Sequence, residues 1–287
     1  MRVVLPVSSK LSGLGWYKYL VRGLKEVADE VVQTDKLLKD CFFITGKMII
    51  PIDIYSRRIW YDFSDFYSLY PSIMNDNDLY FKVQYYDDVV KNTNNVFPIG
   101  FGASRSSYFK DLNTRRKLKE QKKYDYDIIG VFRTTNYNTR RKVVEIIRSR
   151  KDWKSLAWLE QTDNRPKVPK ELLGASLQYT DHLMKQCKSK LCLAIHGVGI
   201  RFGINGRISE ILGTGNCLIL PELEARMPSS LEGSAIILKR DLSDMQEKVD
   251  YYLSHDKERE SIARSGLEYY EKWLSPKAIA NNIISKL

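Results

Sequence analysis

The residues able to do chemistry concentrate between Lys190 and Leu220, in the run KLCLAIHGVGIRFGINGRISEILGTGNCLIL. Gly197, Gly199, Gly203 and Gly206 surround Arg201 and precede Arg207. Glycine accepts positive φ and lets a ligand come close to the backbone. A glycine loop feeding a helix start presents free N–H groups and the positive end of a dipole, which suits a phosphate. Arginines add charged forks for the same anion. Glu210 stands about one turn in from the loop, where a carboxylate accepts hydrogen bonds from sugar hydroxyls. His196 stands at the mouth of the loop, either touching phosphate or donor sugar or simply capping the strand before it. Read jointly, these residues predict a nucleotide diphosphate site. The competing reading is a tight crossover whose glycines serve packing and whose arginines are solvated; two arginines and an inward glutamate in one stretch favour the site.

The flanking patterns supply the elements that position it. Leu191 to Ile195 is a short apolar run, as in a buried parallel strand. Arg207 to Leu212 predicts a helix stopped by Gly213 and Gly215, and Cys217 to Leu220 the next strand. Upstream, Tyr126 to Phe132 predicts a strand that ends at Arg133, the place where open α/β sheets bind ligands. A helix follows over 140–150 with Val143, Val144 and Ile147 as its apolar face. Arg140 and Arg141 fall near its start, an unfavourable place for cations unless an anion lies between. A strand at 155–159, a helix at 177–188, a strand at 234–238 and helices over 242–254, 258–273 and 276–287 complete an alternating, parallel, doubly wound domain.

The N-terminal half opens as strand, glycine loop and helix: Arg2 to Val7, a loop containing Gly13 and Gly15, and an amphipathic helix from Tyr17 to Val31. The loop spacing is not GxGxxG, so Gly13 and Gly15 either point into a cleft or form a plain turn. Short strands follow, with 41–44 and 48–50 forming either a hairpin or two separate short strands. Asp76 and Asp78 have the spacing of a metal-holding pair, but their Asn/Asp-rich surroundings favour a turn.

The formal charge of +11 on 287 residues predicts an anionic partner: nucleotide, phosphorylated carrier, membrane surface or nucleic acid. A basic stretch from Arg105 to Lys123 marks the domain boundary, giving ranges of 1–104, 105–123 and 124–287. Its cations form either a solvated face or a surface for an anionic acceptor. Four cysteines with no CxxC predict buried thiols, and three histidines make a zinc site improbable. The N-terminal apolar run is too short for a signal peptide and no run reaches the roughly 20 residues of a membrane span, so a cytoplasmic location is expected.

Arg207-Ile-Ser-Glu210-Ile-Leu-Gly-Thr-Gly215, the strand after it, and the later Glu258-Arg259-x-x-Ile262-Ala263-x-x-Gly266 resemble the C-terminal domain of the group 1 glycosyltransferases. The resemblance covers about Asp127 to Leu287 and, more weakly, the Gly13-x-Gly15 loop. It implies the GT-B fold, an α/β architecture of two Rossmann-like doubly wound domains facing a cleft, with a nucleotide-sugar donor such as a UDP-sugar in the second domain and the acceptor in the first. By that resemblance Glu210 holds the ribose hydroxyls, and Arg133 clamps the donor diphosphate with Arg140, Arg201, Arg207 and the loop glycines Gly197 and Gly199 around it. Gly13 and Gly15 face the same donor, and His196 and Arg207 are the catalytic candidates. Arg133, Arg207 and loop amides would stabilise the departing diphosphate, with no metal and no cofactor besides the nucleotide-sugar co-substrate. The sequence departs from the family where a second glutamate often stands eight residues before Glu210, since Phe202 occupies that position, and its N-terminal half has no histidine. The implied acceptor is a saccharide, a lipid-linked carrier, or a modified base in DNA as for phage-type enzymes. The alternative is a non-enzymatic nucleic-acid-binding protein using the basic surface.

Overall fold

The C-terminal half folds around five parallel strands, β8 (Tyr126–Arg133), β9 (Ser155–Glu160), β10 (Ser189–Leu193), β11 (Cys217–Pro221) and β12 (Ile236–Leu238). They lie in the order β12-β11-β10-β8-β9. Apolar residues fill both faces of β8, β10 and β11, as expected when helices cover both sides. The chain leaves β8 for β9 on one side and returns to place β10 on the other. The crevice between the carboxyl ends of β8 and β10 is therefore the topological switch point, where sheets of this order bind ligands. The structure is a computed structural model that describes residues 1–8, 11, 14–44, 47–55, 57–62, 75, 77–91, 93–103, 106–109, 111–134, 137–161, 168–196 and 202–287.

The N-terminal sheet is built from β1 (Arg2–Pro6), β2 (Glu30–Thr34), β3 (Phe42–Ile44), β4 (Lys47–Ile54), β5 (Arg57–Asp62), β6 (Leu79–Lys82) and β7 (Val96–Pro98). Its order is β2-β1-β4-β5-β6-β7, with β3 on β4. The pairs β1–β2, β5–β6 and β6–β7 are parallel, while β4 runs antiparallel to β1, β3 and β5. Helix α1 (Gly15–Val27) buries Tyr17, Leu20, Val21 and Leu24 against this sheet, the face its sequence period indicates. It is shorter than its sequence pattern indicates. Asp29 and Glu30 both donate their N–H to Met1 O, so the β-branched Val31 and Val32 pair with β1 instead of extending the helix.

Helices α2 (Leu112–Glu120), α3 (Tyr137–Ser149), α4 (Tyr179–Cys187), α5 (Gly206–Gly213), α6 (Met245–Ser254), α7 (Asp256–Tyr269) and α8 (Pro276–Ile284) complete the fold. The last of these packs back on α1, so the chain end adds to the N-terminal domain. The two helices approach so closely that a Cβ at Gly23 would sit 1.8 Å from Pro276 O. Tyr19 Oη in α1 lies within hydrogen-bond distance of Leu274 O at 2.7 Å and Tyr270 Oη at 2.9 Å, which ties the same ends together.

The basic stretch between the halves is largely committed to structure. Arg115 is buried and donates to Tyr108 O. Arg116 donates to Gly213 O at 2.7 Å and pairs with Glu271. Lys119 reaches Ser189 O at 2.8 Å, and Lys122 pairs with Glu260. Arg116, Lys119 and Lys122 satisfy carbonyls and carboxylates of the C-terminal domain, and Arg115 a carbonyl just ahead of its own helix, which accounts for much of the local charge. Cys187, Cys192 and Cys217 are buried free thiols. Among the described residues, no helix is long and apolar enough to cross a membrane.

Candidate active site

Three arginines meet at the switch point. Arg133 ends β8 and is exposed. Arg140, one turn into α3, straddles the crevice: Nη1 donates to Arg133 O at 2.9 Å and Nη2 to Ile195 O at 2.9 Å, just beyond β10. Arg207, at the start of α5, donates through Nη1 to Val131 O at 2.6 Å and lies 5.6 Å from the centre of the Phe132 ring. Burial, followed by the charges of Arg207 and Arg133, pushes Arg140 down to about 9. Arg207 is also held below the usual guanidinium range by burial, with Glu210, Glu160 and Tyr179 opposing. The charges of Arg207 and Arg133 disfavour that of Arg140, and an anion bound beside it relieves this. Arg141, the neighbour that sequence left as an equal alternative, turns outward to pair with Glu145 at 2.6 Å.

Helix α5 is locally well specified. Asn205 caps it by accepting the Arg207 N–H at 3.0 Å. It ends in paired bonds from Gly215 N to Leu212 O and Asn216 N to Ile211 O, with Gly215 at φ +75°, a conformation that suits glycine. The helix carries Glu210 into a buried position, where Tyr179 Oη donates to Oε1 at 2.6 Å. Tyr179 opens α4 and Leu177 N donates to Glu160 at 2.8 Å, so the turn before α4 and the end of β9 hold the carboxylate's surroundings.

His196 follows β10 and is buried, its ring centroid 4.8 Å from that of Phe202. Burial, and then Arg140, pushes it down to about 4, with Glu224 opposing. The imidazole is therefore neutral near pH 7, able to offer one donor and one acceptor. His182 in α4 is buried and held well below its ordinary range by burial and by Arg207. Its sequence context gives no sign of this, because one histidine at helical spacing carries no signal of what lies opposite.

The first domain reaches this region through Gln84, after β6. Its buried side chain donates to Ile204 O at 2.6 Å and accepts from Ile204 N at 3.0 Å. Tyr85 O accepts from Arg226 N at 2.7 Å, and Ser209 Oγ donates to Phe101 O. The segment leading into α5 is thus fixed from the opposite domain. Nothing in the local sequence around Gln84 indicates this contact, since its partner lies 120 residues away.

Of the other sequence candidates, Gly15 is the first residue of α1 in the N-terminal domain, and among the described residues no hydrogen bond or ring contact joins it to the arginines. Gly13, Gly197, Gly199 and Arg201 lie outside the described residues, as does Asp76. Asp78 is used in a turn, accepting Trp60 Nε1 at 2.9 Å and Asn75 N at 3.0 Å.

A family model described as glycosyl transferase-like matches residues 113–285. The chain belongs to this family. The match spans the whole parallel sheet, its helices and the three arginines. Among solved structures, a glycosyltransferase from Rickettsia africae ESF-5 aligns at 15% identity and TM-score 0.51, covering 94% of this chain and 73% of the other. A sucrose-phosphate synthase from Thermosynechococcus elongatus aligns at 11% identity and TM-score 0.50, covering 75% and 59%. An alpha-glucosyltransferase in complex with UDP-glucose and DNA containing an abasic site aligns at 12% identity and TM-score 0.48, covering 73% and 65%. The chain thus spans under two thirds of the length of two of these relatives. No curated protein matches it. The fold is that of the GT-B glycosyltransferases, two Rossmann-like domains of mixed α/β structure.

Proposed function

We propose that this glycosyl transferase-like protein moves a sugar from a nucleotide-sugar to an acceptor, with the donor diphosphate at the β8/β10 crevice. The observation that carries the reading is the convergence of Arg133, Arg140 and Arg207 on the switch point, with Glu210 beside them. Three cations gathered at one crevice, with Arg140 and Arg207 partly desolvated, suit a group of two or more negative charges. Glu210, one turn along α5, accepts from the ribose hydroxyls, and Tyr179 orients it. In the transfer step the bond between the sugar's anomeric carbon and the diphosphate oxygen breaks while a bond to the acceptor oxygen forms, and the acceptor hydroxyl's proton passes to the departing diphosphate oxygen. The arginines stabilise the charge that grows on the departing diphosphate, the kind of preorganised electrostatic help that lowers such barriers most. Neutral His196 stands beside Arg140 and Phe202, placed to hydrogen-bond the donor at the sugar end. These cations take the part that a divalent metal plays elsewhere, so the reaction proceeds without one.

The acceptor, a saccharide, a lipid-linked carrier or a modified base in DNA, enters from the N-terminal domain. A purely nucleic-acid-binding role finds less support, because Arg115, Arg116, Lys119 and Lys122 of the basic stretch are engaged within the fold.

The test is thermal stability against a panel of nucleoside diphosphates and nucleotide-sugars, with and without chelator. A ligand that binds only the native state raises the melting temperature by mass action. The expected result is a chelator-resistant rise with one nucleotide, lost in Arg133→Ala and in Glu210→Ala. No rise with any nucleotide, together with salt-sensitive binding to DNA, overturns the proposal.

A further inference from the structure

We infer that Glu224 is a specificity residue for the transferred sugar, its carboxylate accepting hydrogen bonds from the sugar's hydroxyls. The inference rests on the reading above that places the donor diphosphate on the three arginines.

Glu224 follows β11, and its backbone N–H donates to Phe202 O at 2.9 Å. That bond fixes it beside the residue on which the His196 ring packs. Arg140 in turn holds the carbonyl of Ile195, the residue before His196. One residue step along the chain therefore separates the diphosphate cradle from His196, and Phe202 joins His196 to Glu224. The glutamate's charge also acts at His196, opposing the downward push of burial and Arg140.

The carboxylate is also prepared for a polar, uncharged ligand. Arg240 Nη1 lies 3.3 Å from Glu224 Oε1, and its guanidinium covers the Phe202 ring at 5.4 Å. This pairing moderates a negative charge that would otherwise repel the donor. Glu224 keeps 20% of its side-chain exposure, partly dehydrated yet open to a ligand. Glu222, by contrast, is 62% exposed, and its N–H pairs with Leu238 O at the sheet edge. The two neighbouring carboxylates thus have different surroundings, and only Glu224 is tied to Phe202. Hydroxyls are donors and phosphates are acceptors, so a site that gathers phosphate on arginines and offers a carboxylate one step away separates the two ends of a nucleotide-sugar.

The experiment compares calorimetric affinities of the full chain for UDP and UDP-glucose, with GDP/GDP-mannose and ADP/ADP-glucose alongside, in wild type, Glu224→Gln, Glu224→Ala and Arg240→Met. The expected result is that both Glu224 variants bind the nucleoside diphosphate within about twofold of wild type and the nucleotide-sugar at least ~10-fold more weakly, as for loss of a hydrogen bond to a charged group. Equal affinities for both ligands in wild type and variants, or an equal loss of both, overturns the inference. So does an equal drop in melting temperature in Glu224→Ala and Arg240→Met with the ratio of the two affinities unchanged, which marks a structural ion pair. The isosteric Glu224→Gln keeps the comparison decisive if the alanine variant does not fold. A wild type that binds no nucleoside diphosphate at all removes the donor-site reading itself, and this inference with it.

Discussion

Replacing Arg140 by methionine separates a ligand-binding arginine from a structural clamp, because the two roles predict opposite balances of stability and affinity. Holding the Arg140 charge in the free protein is costly: the group is pushed from 12.5 to about 9. At about 1.4 kcal/mol per pH unit that corresponds to roughly 5 kcal/mol. The side chain is only partly buried, and solvent screening cuts the cost to ~2 kcal/mol. On the other side of the balance stand the two bonds to Arg133 O and Ile195 O, worth about 1.5 kcal/mol each for a charged donor. The two sums nearly cancel, so Arg140→Met should change the unfolding free energy by no more than ~2 kcal/mol in either direction. Affinity for a nucleoside diphosphate, in contrast, should fall about 10- to 150-fold, the loss of ~1.5–3 kcal/mol for one charge-assisted bond to phosphate. Urea unfolding at pH 7 gives the first quantity and titration calorimetry the second. A variant that loses more than ~4 kcal/mol of stability while binding nucleotide as before would refute the reasoning and leave Arg140 as a strand-end clamp.

Two further outcomes follow from the same geometry. His196 has a folded pKa of about 4, below the ordinary 6.5, so the unfolded chain takes up its proton first. Its contribution is full above pH 6.5 and is lost as pH falls toward 4, a loss of roughly 3 kcal/mol. Urea midpoints measured over that range should fall less steeply in His196→Asn than in wild type, and parallel curves would contradict a buried neutral imidazole. Gly23→Ala places a methyl 1.8 Å from Pro276 O, which forces α1 and α8 apart and should cost about 3 kcal/mol. An unchanged urea midpoint would contradict the close approach of the two helices.

The legible and illegible parts of the fold divide by range of interaction. Strands β8, β10 and β11 and the helices between them are readable because apolar runs and helical spacing are local signals. The same reasoning fails at Val31, where the spacing fits a helix but β1 offers a parallel partner. Tyr179, His182, Gln84 and Glu224 carry no sequence signal of a site. Each matters only through a partner brought near by the sheet order or by the facing domain.

The sequence by itself determines that a glycine-rich segment leads into a capped helix bearing Arg207 and Glu210, since Asn205, Gly213 and Gly215 specify that helix through neighbours a few residues away. It also places Arg133 at a strand end. Only the tertiary structure decides which cations converge. Arg140 and Arg141 are adjacent in sequence, yet a turn of about 100° per residue around the helix sends one across the β8/β10 crevice and the other to Glu145. It likewise decides that Arg115, Arg116 and Lys119 are spent on carbonyls of the fold, because their partners lie 7, 97 and 70 residues away. Charge is written in the sequence; what each charge faces depends on contacts that no local pattern encodes.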